Sequence, residues 1–206
     1  VRPTPDGKYL CAVDNGIDQI KIYRPTERTS KLDLVDVLRC VRESGPRLIK
    51  FSPNGKFAFV NYELKNEIQV YSYDGSGENP KFELLQTEST LASHEDEAHD
   101  ATSGMCLSED GKYLFTSTAG DNTVAMFHID PETGCLEKKF ALPTSGEYPK
   151  DIAMFPDGKH IAVANHESNT ITTFTVDYEK NVLVQKGRPM KVETPNCILI
   201  TKKGVH

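Results

Sequence analysis

A four-residue motif recurs four times along the chain: Asp6-Gly7-Lys8-Tyr9, Asn54-Gly55-Lys56-Phe57, Asp110-Gly111-Lys112-Tyr113 and Asp157-Gly158-Lys159-His160. Successive motifs start 48, 56 and 47 residues apart. Twelve residues after each start stands Asp18, Asn66, Asn122 or Asn169, and seventeen residues after it an aromatic, Tyr23, Tyr71, Phe127 or Phe174. A repeat of this length that keeps register through two internal positions specifies one supersecondary unit used four times.

Asp-Gly or Asn-Gly between apolar runs predicts a tight primed hairpin turn, with positive φ at its centre. Leu48-Ile49-Lys50-Phe51 and Ile152-Ala153-Met154-Phe155 precede such turns, and Tyr9–Val13, Phe57–Val60, Tyr113–Thr116 and Ile161–Val163 follow them. A polar turn then leads to a third run ending at the aromatic, and a weaker fourth run follows, as in Leu136–Phe140 and Val182–Gln185. No window keeps a helical period. Each unit reads as four antiparallel strands, the size of a propeller blade, which buries its faces against its neighbours. The expected fold is all-β, a β-propeller with four four-stranded antiparallel blades in one domain. The blades are expected at about 1–44, 45–100, 101–146 and 147–192, with a final inner strand at 195–201.

Pro46 and Pro149 lie eight residues before their turn motifs, and the same count from Pro195 predicts a turn at Lys203-Gly204. The sequence thus begins inside one inner strand and stops after another. Four repeats closing into a four-bladed ring is one arrangement. The expected one is part of a longer propeller, with further N-terminal blades.

A net charge of −6 argues against nucleic acid or an anionic membrane surface as a partner. No apolar run reaches membrane-spanning length, and no signal-peptide pattern opens the sequence. Cys11, Cys40, Cys106, Cys135 and Cys197 show no Cys-x-x-Cys spacing, so reduced thiols in a cytoplasmic protein are expected, with Cys106 a small core residue. No Gly-x-Ser-x-Gly, Walker, His-Glu-x-x-His or dinucleotide fingerprint is present, and no cofactor is expected. The longest repeat carries Ser93-His94-Glu95-Asp96-Glu97-Ala98-His99-Asp100. Imidazole and carboxylate suit zinc or manganese. A dense charge run without a fixed scaffold reads instead as a solvated loop, so no metal site is expected.

Four segments carry a more specific likeness: Ser44-Gly45-Pro46-Arg47, Phe51-Ser52-Pro53-Asn54-Gly55-Lys56-Phe57, Asn61-Tyr62-Glu63-Leu64 and Leu84-Leu85-Gln86-Thr87. With Asp130-Pro131-Glu132-Thr133-Gly134-Cys135-Leu136 and Thr194-Pro195-Asn196-Cys197, they resemble the seven-bladed lactonase propeller family. That family includes 6-phosphogluconolactonase and carboxy-muconate lactonizing enzymes, and the likeness corresponds to the last four blades of seven. The most specific element is Gly-Pro-Arg followed, sixteen residues after Arg47, by Glu63.

The resemblance implies a site at a channel mouth where a His, an Arg and a Glu converge on a small-molecule lactone. Arg47 and Glu63 match two of these, and the family His would lie just before Val1. Tyr62 replaces the family Asn, Ala119 a family Arg, Lys150-Asp151 an Arg-Asn, and Gly104 and Cys106 a Glu and an Arg. Lactone hydrolysis needs a base for water and a cation near the developing oxyanion. The expected activity is a lactonase-like hydrolase opening a sugar or organic-acid lactone, with Glu63 as base, Arg47 as cation, and Lys150 and His166 binding substrate. An isomerase variant would form the lactone with the same groups. The competing class is a non-catalytic propeller that binds a ligand or protein. In bland structural terms, Arg47 and Glu63 are an inter-strand ion pair and His166 an ordinary turn histidine.

Overall fold

A computed structural model describes residues 1–26, 31–92 and 99–201. The first blade comprises β1 (Arg2–Pro3), β2 (Leu10–Asp14), β3 (Gln19–Pro25) and β4 (Leu32–Arg39). The second comprises β5 (Pro46–Phe51), β6 (Phe57–Tyr62), β7 (Glu67–Asp74) and β8 (Lys81–Ser89). The third holds β9 (Ala101–Leu107), β10 (Tyr113–Ala119), β11 (Thr123–Ile129) and β12 (Leu136–Pro143). The fourth holds β13 (Pro149–Met154), β14 (His160–Asn165), β15 (Thr170–Asp177), β16 (Val182–Gln185) and β17 (Met190–Lys191). Strands in each blade pair antiparallel in chain order, β17 joining β15 beside β16. The fold is all-β, four blades of a propeller. A 3-10 turn spans Asn15–Ile17.

The chain divides into two compact units, Val1–Ser89 with Asp130–Leu136, and Thr90–Ile129 with Glu137–His206. In the first, Cys11, Ile20 and Ile22 of one sheet pack with Ile49, Val60, Tyr62 and Tyr71 of the next. In the second, Phe115, Val124 and Met126 pack with Ile152, Ile161, Val163 and Phe174, and Cys106 lies in this core as expected. All five cysteines are free thiols, and burial pushes that of Cys11 up to about 12.

The repeated turn is wider than expected. Ser52 N–H donates to Phe57 O, and Gly55 N–H to Ser52 O, both at 2.9 Å, giving a four-residue loop built on a type I turn. Gly7, Gly55, Gly111 and Gly158 take positive φ, but the Asp or Asn before each does not. Its side chain works as an acceptor instead. Asn54 Oδ1 takes the Ser52 hydroxyl at 2.6 Å and the Lys56 N–H at 3.0 Å, and Asp6 and Asp110 repeat this with Thr4 and Ser108. In the fourth blade Phe155 offers no hydroxyl, and Asp157 Oδ1 accepts the N–H groups of both Lys159 and His160.

The position twelve residues on also has a physical reason. Asp18, Asn66, Asn122 and Asn169 all take left-handed φ, between 51° and 55°. Such residues turn the chain from the second strand to the third, and Asp and Asn tolerate this region best after Gly. The side chains of Asp18, Asn122 and Asn169 then reach the segment that leaves their blade. Asp18 accepts from the N–H groups of Gly45, Glu43 and Ser44, and these bonds, Gly45 foremost, hold its carboxyl below the usual range. Asn122 accepts from Tyr148 N–H at 2.7 Å and Asn169 from Thr194 N–H at 2.8 Å. The aromatics pair at one register, opposite Leu10, Ala58, Leu114 and Ile161, each four residues past its Asp or Asn.

Gln86 fastens the loop 130–136 within the first unit. Its side-chain amide donates to Leu136 O at 3.0 Å and accepts from Leu136 N–H at 2.6 Å, standing in for a strand's backbone. Gly134 lies so close to the Phe57 ring that a Cβ there would come within 2.5 Å of it.

The C-terminal region differs from the other blades in two places. Residues 195–201, expected as an inner strand, carry no strand and no ladder among the described residues. Ile198 N–H is satisfied by the Asp151 carboxylate instead, at 2.8 Å. The outer strand of the fourth blade is also broken in two, because Gly187 takes φ +74° between β16 and β17 and Pro189 has no N–H to donate. The turn expected at Lys203-Gly204 lies outside the described residues.

Candidate active site

The approach to β5 brings Arg47 and Glu63 together. Gly45 takes φ +62°, and its carbonyl accepts from Glu63 N–H at 2.8 Å. A Cβ at this position would lie 2.8 Å from Leu64 Cγ and 3.1 Å from Asn15 Nδ2. Pro46 then pairs with Tyr62 but Leu48 with Asn61, so Arg47 is the extra residue of a β-bulge. Asn61 Oδ1 accepts the Leu48 N–H at 2.8 Å beside the irregularity. Bulges re-aim side chains. Here Arg47 Nη1 stands 2.8 Å from Glu63 Oε2, an ion pair whose side chains keep 30% and 24% of their exposure. Asn15 Nδ2 donates to the same oxygen at 3.3 Å. Both bonds fall on Oε2.

Lys150 and His166 repeat the arrangement within the second unit. Tyr148 takes φ +55°, and His166 N–H donates to its carbonyl at 3.0 Å. Pro149 pairs with Asn165 and Asp151 with Ala164, making Lys150 the bulged residue. Lys150 and His166 stand seven residues before and nine after Asp157, the offsets of Arg47 and Glu63 from Asn54. Lys150 Nζ lies over the Tyr148 ring, 4.6 Å from its centroid, in a cation–π contact. His166 Nδ1 and Asn165 Oδ1 are buried and have no hydrogen-bond partner among the described residues.

In the third blade the same offsets fall on Ser103 and Ala119. Ser103 Oγ bonds Ser117 Oγ at 2.9 Å and the Pro149 carbonyl, and Ala119 is buried. A Cβ on Gly104 would lie 2.6 Å from Ile152 N and 2.8 Å from Asp151 Cα, so a larger residue there meets backbone. Gly104, Cys106 and Ala119 are therefore packing positions in this chain.

Sequence reasoning missed Asn15 and Tyr148. Asn15 had a signal: it lies nine residues after Asp6, as Glu63 does after Asn54. Tyr148 had none, because an aromatic in the left-handed region is not what its sequence position suggests. Of the acidic loop, residues 93–98 lie outside the described residues. Among the described residues no three His, Cys, Asp or Glu side chains group as metal ligands.

The family model for "Lactonase, 7-bladed beta-propeller" matches residues 1–200. The chain belongs to this lactonase propeller family. An uncharacterized protein of Lactococcus lactis subsp. cremoris is 35% identical over 150 residues, which is 72% of this chain and 42% of that protein. A periplasmic gluconolactonase from Pseudomonas aeruginosa superposes with TM-score 0.88 at 29% identity, over 96% of this chain and 55% of that one. A Bacteroides uniformis protein assigned as a 6-phosphogluconolactonase superposes with TM-score 0.84 at 30% identity, over 95% of this chain and 55% of that one. The chain thus spans about half the length of the relatives it matches.

Proposed function

We propose that this chain carries the Arg and Glu of a lactonase site and that the protein opens a sugar or organic-acid lactone. The observation that supports this most is the Arg47–Glu63 pair, aimed by a bulge and partly open to solvent within a lactonase-family blade. In the proposed reaction Glu63 takes a proton from water as its oxygen attacks the carbonyl carbon. Arg47 stabilises the oxyanion. The ring C–O bond then breaks, and the departing alkoxide takes the proton back from Glu63 to give a hydroxy acid. Lys150 and His166 are proposed to bind substrate, and the cytoplasm is the proposed location.

Gly104, Cys106 and Ala119 favour a second reading, a propeller that binds without turnover, because these positions are filled by packing. Hydrolysis releases a proton, so pH-stat titration with glucono- and 6-phosphogluconolactone separates the readings. Turnover above the spontaneous rate is expected, and Glu63→Gln is expected to lower it by about 10² or more. Equal rates with the two proteins would remove Glu63 from the mechanism.

A further inference from the structure

The fourth turn builds a second constellation, separate from Arg47 and Glu63. His160 Nδ1 lies 2.6 Å from Asp157 Oδ2, and His160 Nε2 lies 3.1 Å from Lys186 Nζ. None of the other three motifs has a histidine in this place. Backbone bonds hold both ends of the chain of contacts. Asp157 Oδ1 is fixed by the N–H groups of Lys159 and His160 at 2.9 and 3.1 Å. Lys186 is clamped to β15, its N–H donating to Thr173 O at 2.8 Å and its carbonyl accepting from the Thr173 hydroxyl at 3.0 Å. The Phe155 ring meets the imidazole edge to face at 6.4 Å.

The protons can be placed from these partners. A carboxylate only accepts, so the imidazole donates Nδ1–H to Asp157 and Nε2 is left to accept from Lys186. An acid orienting a histidine, whose far nitrogen meets a nucleophile, is the arrangement that activates hydroxyls and thiols for acyl transfer. Here the nucleophile is an amine, and Lys186 is exposed.

We infer that Lys186 is an acyl-acceptor site for activated carboxylic esters, with His160 as its base and Asp157 as the residue that positions His160. The unprotonated amine attacks the ester carbonyl carbon, and its surplus proton passes to His160 Nε2. The C–O bond breaks, an amide forms on Nζ, and the departing oxygen takes the proton back from the imidazole. No redox partner is required. Nothing in this step depends on lactone hydrolysis elsewhere in the chain.

The test is site-resolved labelling of the full chain with p-nitrophenyl acetate, read by peptide mass spectrometry at early times. Lys65, an exposed lysine, is the internal reference. Lys186 is expected to acetylate on the order of 10² faster than Lys65. His160→Gln is expected to bring the two rates within about threefold, the base contribution being lost. Equal rates for Lys186 and Lys65 in the unaltered protein would overturn the inference without any variant. So would an undiminished Lys186 rate in a His160→Gln protein that keeps its circular dichroism spectrum.

Discussion

Gly104→Ala sets intrinsic strand preference against packing. Ala in a strand interior is ordinarily favoured over Gly by roughly 0.5–1 kcal/mol. At Gly104 the new Cβ would sit 2.6 Å from Ile152 N, 2.8 Å from Asp151 Cα and 2.9 Å from Asp151 C. All three are backbone atoms of the neighbouring blade in the same unit, so no side-chain rotation relieves the contact. Overpacking costs about 1–3 kcal/mol, and an immovable neighbour puts this case near the upper end. Subtracting the strand gain leaves a destabilisation of about 2 kcal/mol, or a urea midpoint lower by about 1 M at a slope of about 2 kcal/mol per M. Gly158→Ala is the control. Its φ is +65°, but nothing lies within 4 Å of a Cβ there. It carries only the left-handed penalty of about 1–2 kcal/mol, offset by about 0.4–1 kcal/mol from a stiffer unfolded chain. The chain has no Trp, so far-UV circular dichroism is the readout. A Gly104→Ala midpoint at or above the wild-type value, or a shift smaller than that of Gly158→Ala, would refute the packing argument. It would also reopen position 104 to the acidic residue that the family resemblance implies there.

Other substitutions test the remaining contacts. Gln86→Ala removes both partners of the buried Leu136 backbone. Leaving a buried N–H and C=O unpaired should cost about 3 kcal/mol in urea unfolding, and a change under about 0.5 kcal/mol would show that water replaces the amide. Asp18 has a lowered folded-state pKa, so its contribution is present above the usual Asp value of 3.8 and is lost as pH falls through the folded value. Asp18→Asn should fold at neutral pH, since Asn serves at 66, 122 and 169, and its urea midpoint should fall less steeply below pH 4 than that of the wild type. A steeper fall would contradict the sign. Arg47→Ala leaves Glu63 with Asn15 alone and should lower proposed lactone turnover by about 10²–10³, with an unaltered rate counting against Arg47 as the oxyanion partner.

Much of the blade was legible because its signals are local. Asp or Asn next to Gly, an αL-tolerant residue twelve positions on and an aromatic at seventeen are each set by turn sterics and strand register. The turn type was misjudged because dipeptide identity does not show whether an Asp carboxylate will take Ser52-like hydroxyls and N–H groups or leave them to the backbone. The strand expected at 195–201 has no ladder among the described residues, because a strand exists only where a neighbour offers one, which residue types cannot show.

For the candidate site the division is sharper. The family resemblance singled out Arg47, Glu63 and Lys150, and His166 stood out by its place at a turn between strands. That Arg47 meets Glu63 depends on a bulge and a left-handed Gly45, and that Asn15 joins them depends on two blades packing. That Gly104 has no room, and that His160 meets Lys186, depend on segments 47 and 26 residues away. Local sterics and hydrogen-bonding capacity are properties of short stretches of sequence and can be read there. Which side chains converge is decided by contacts between distant strands, and only the folded chain makes them.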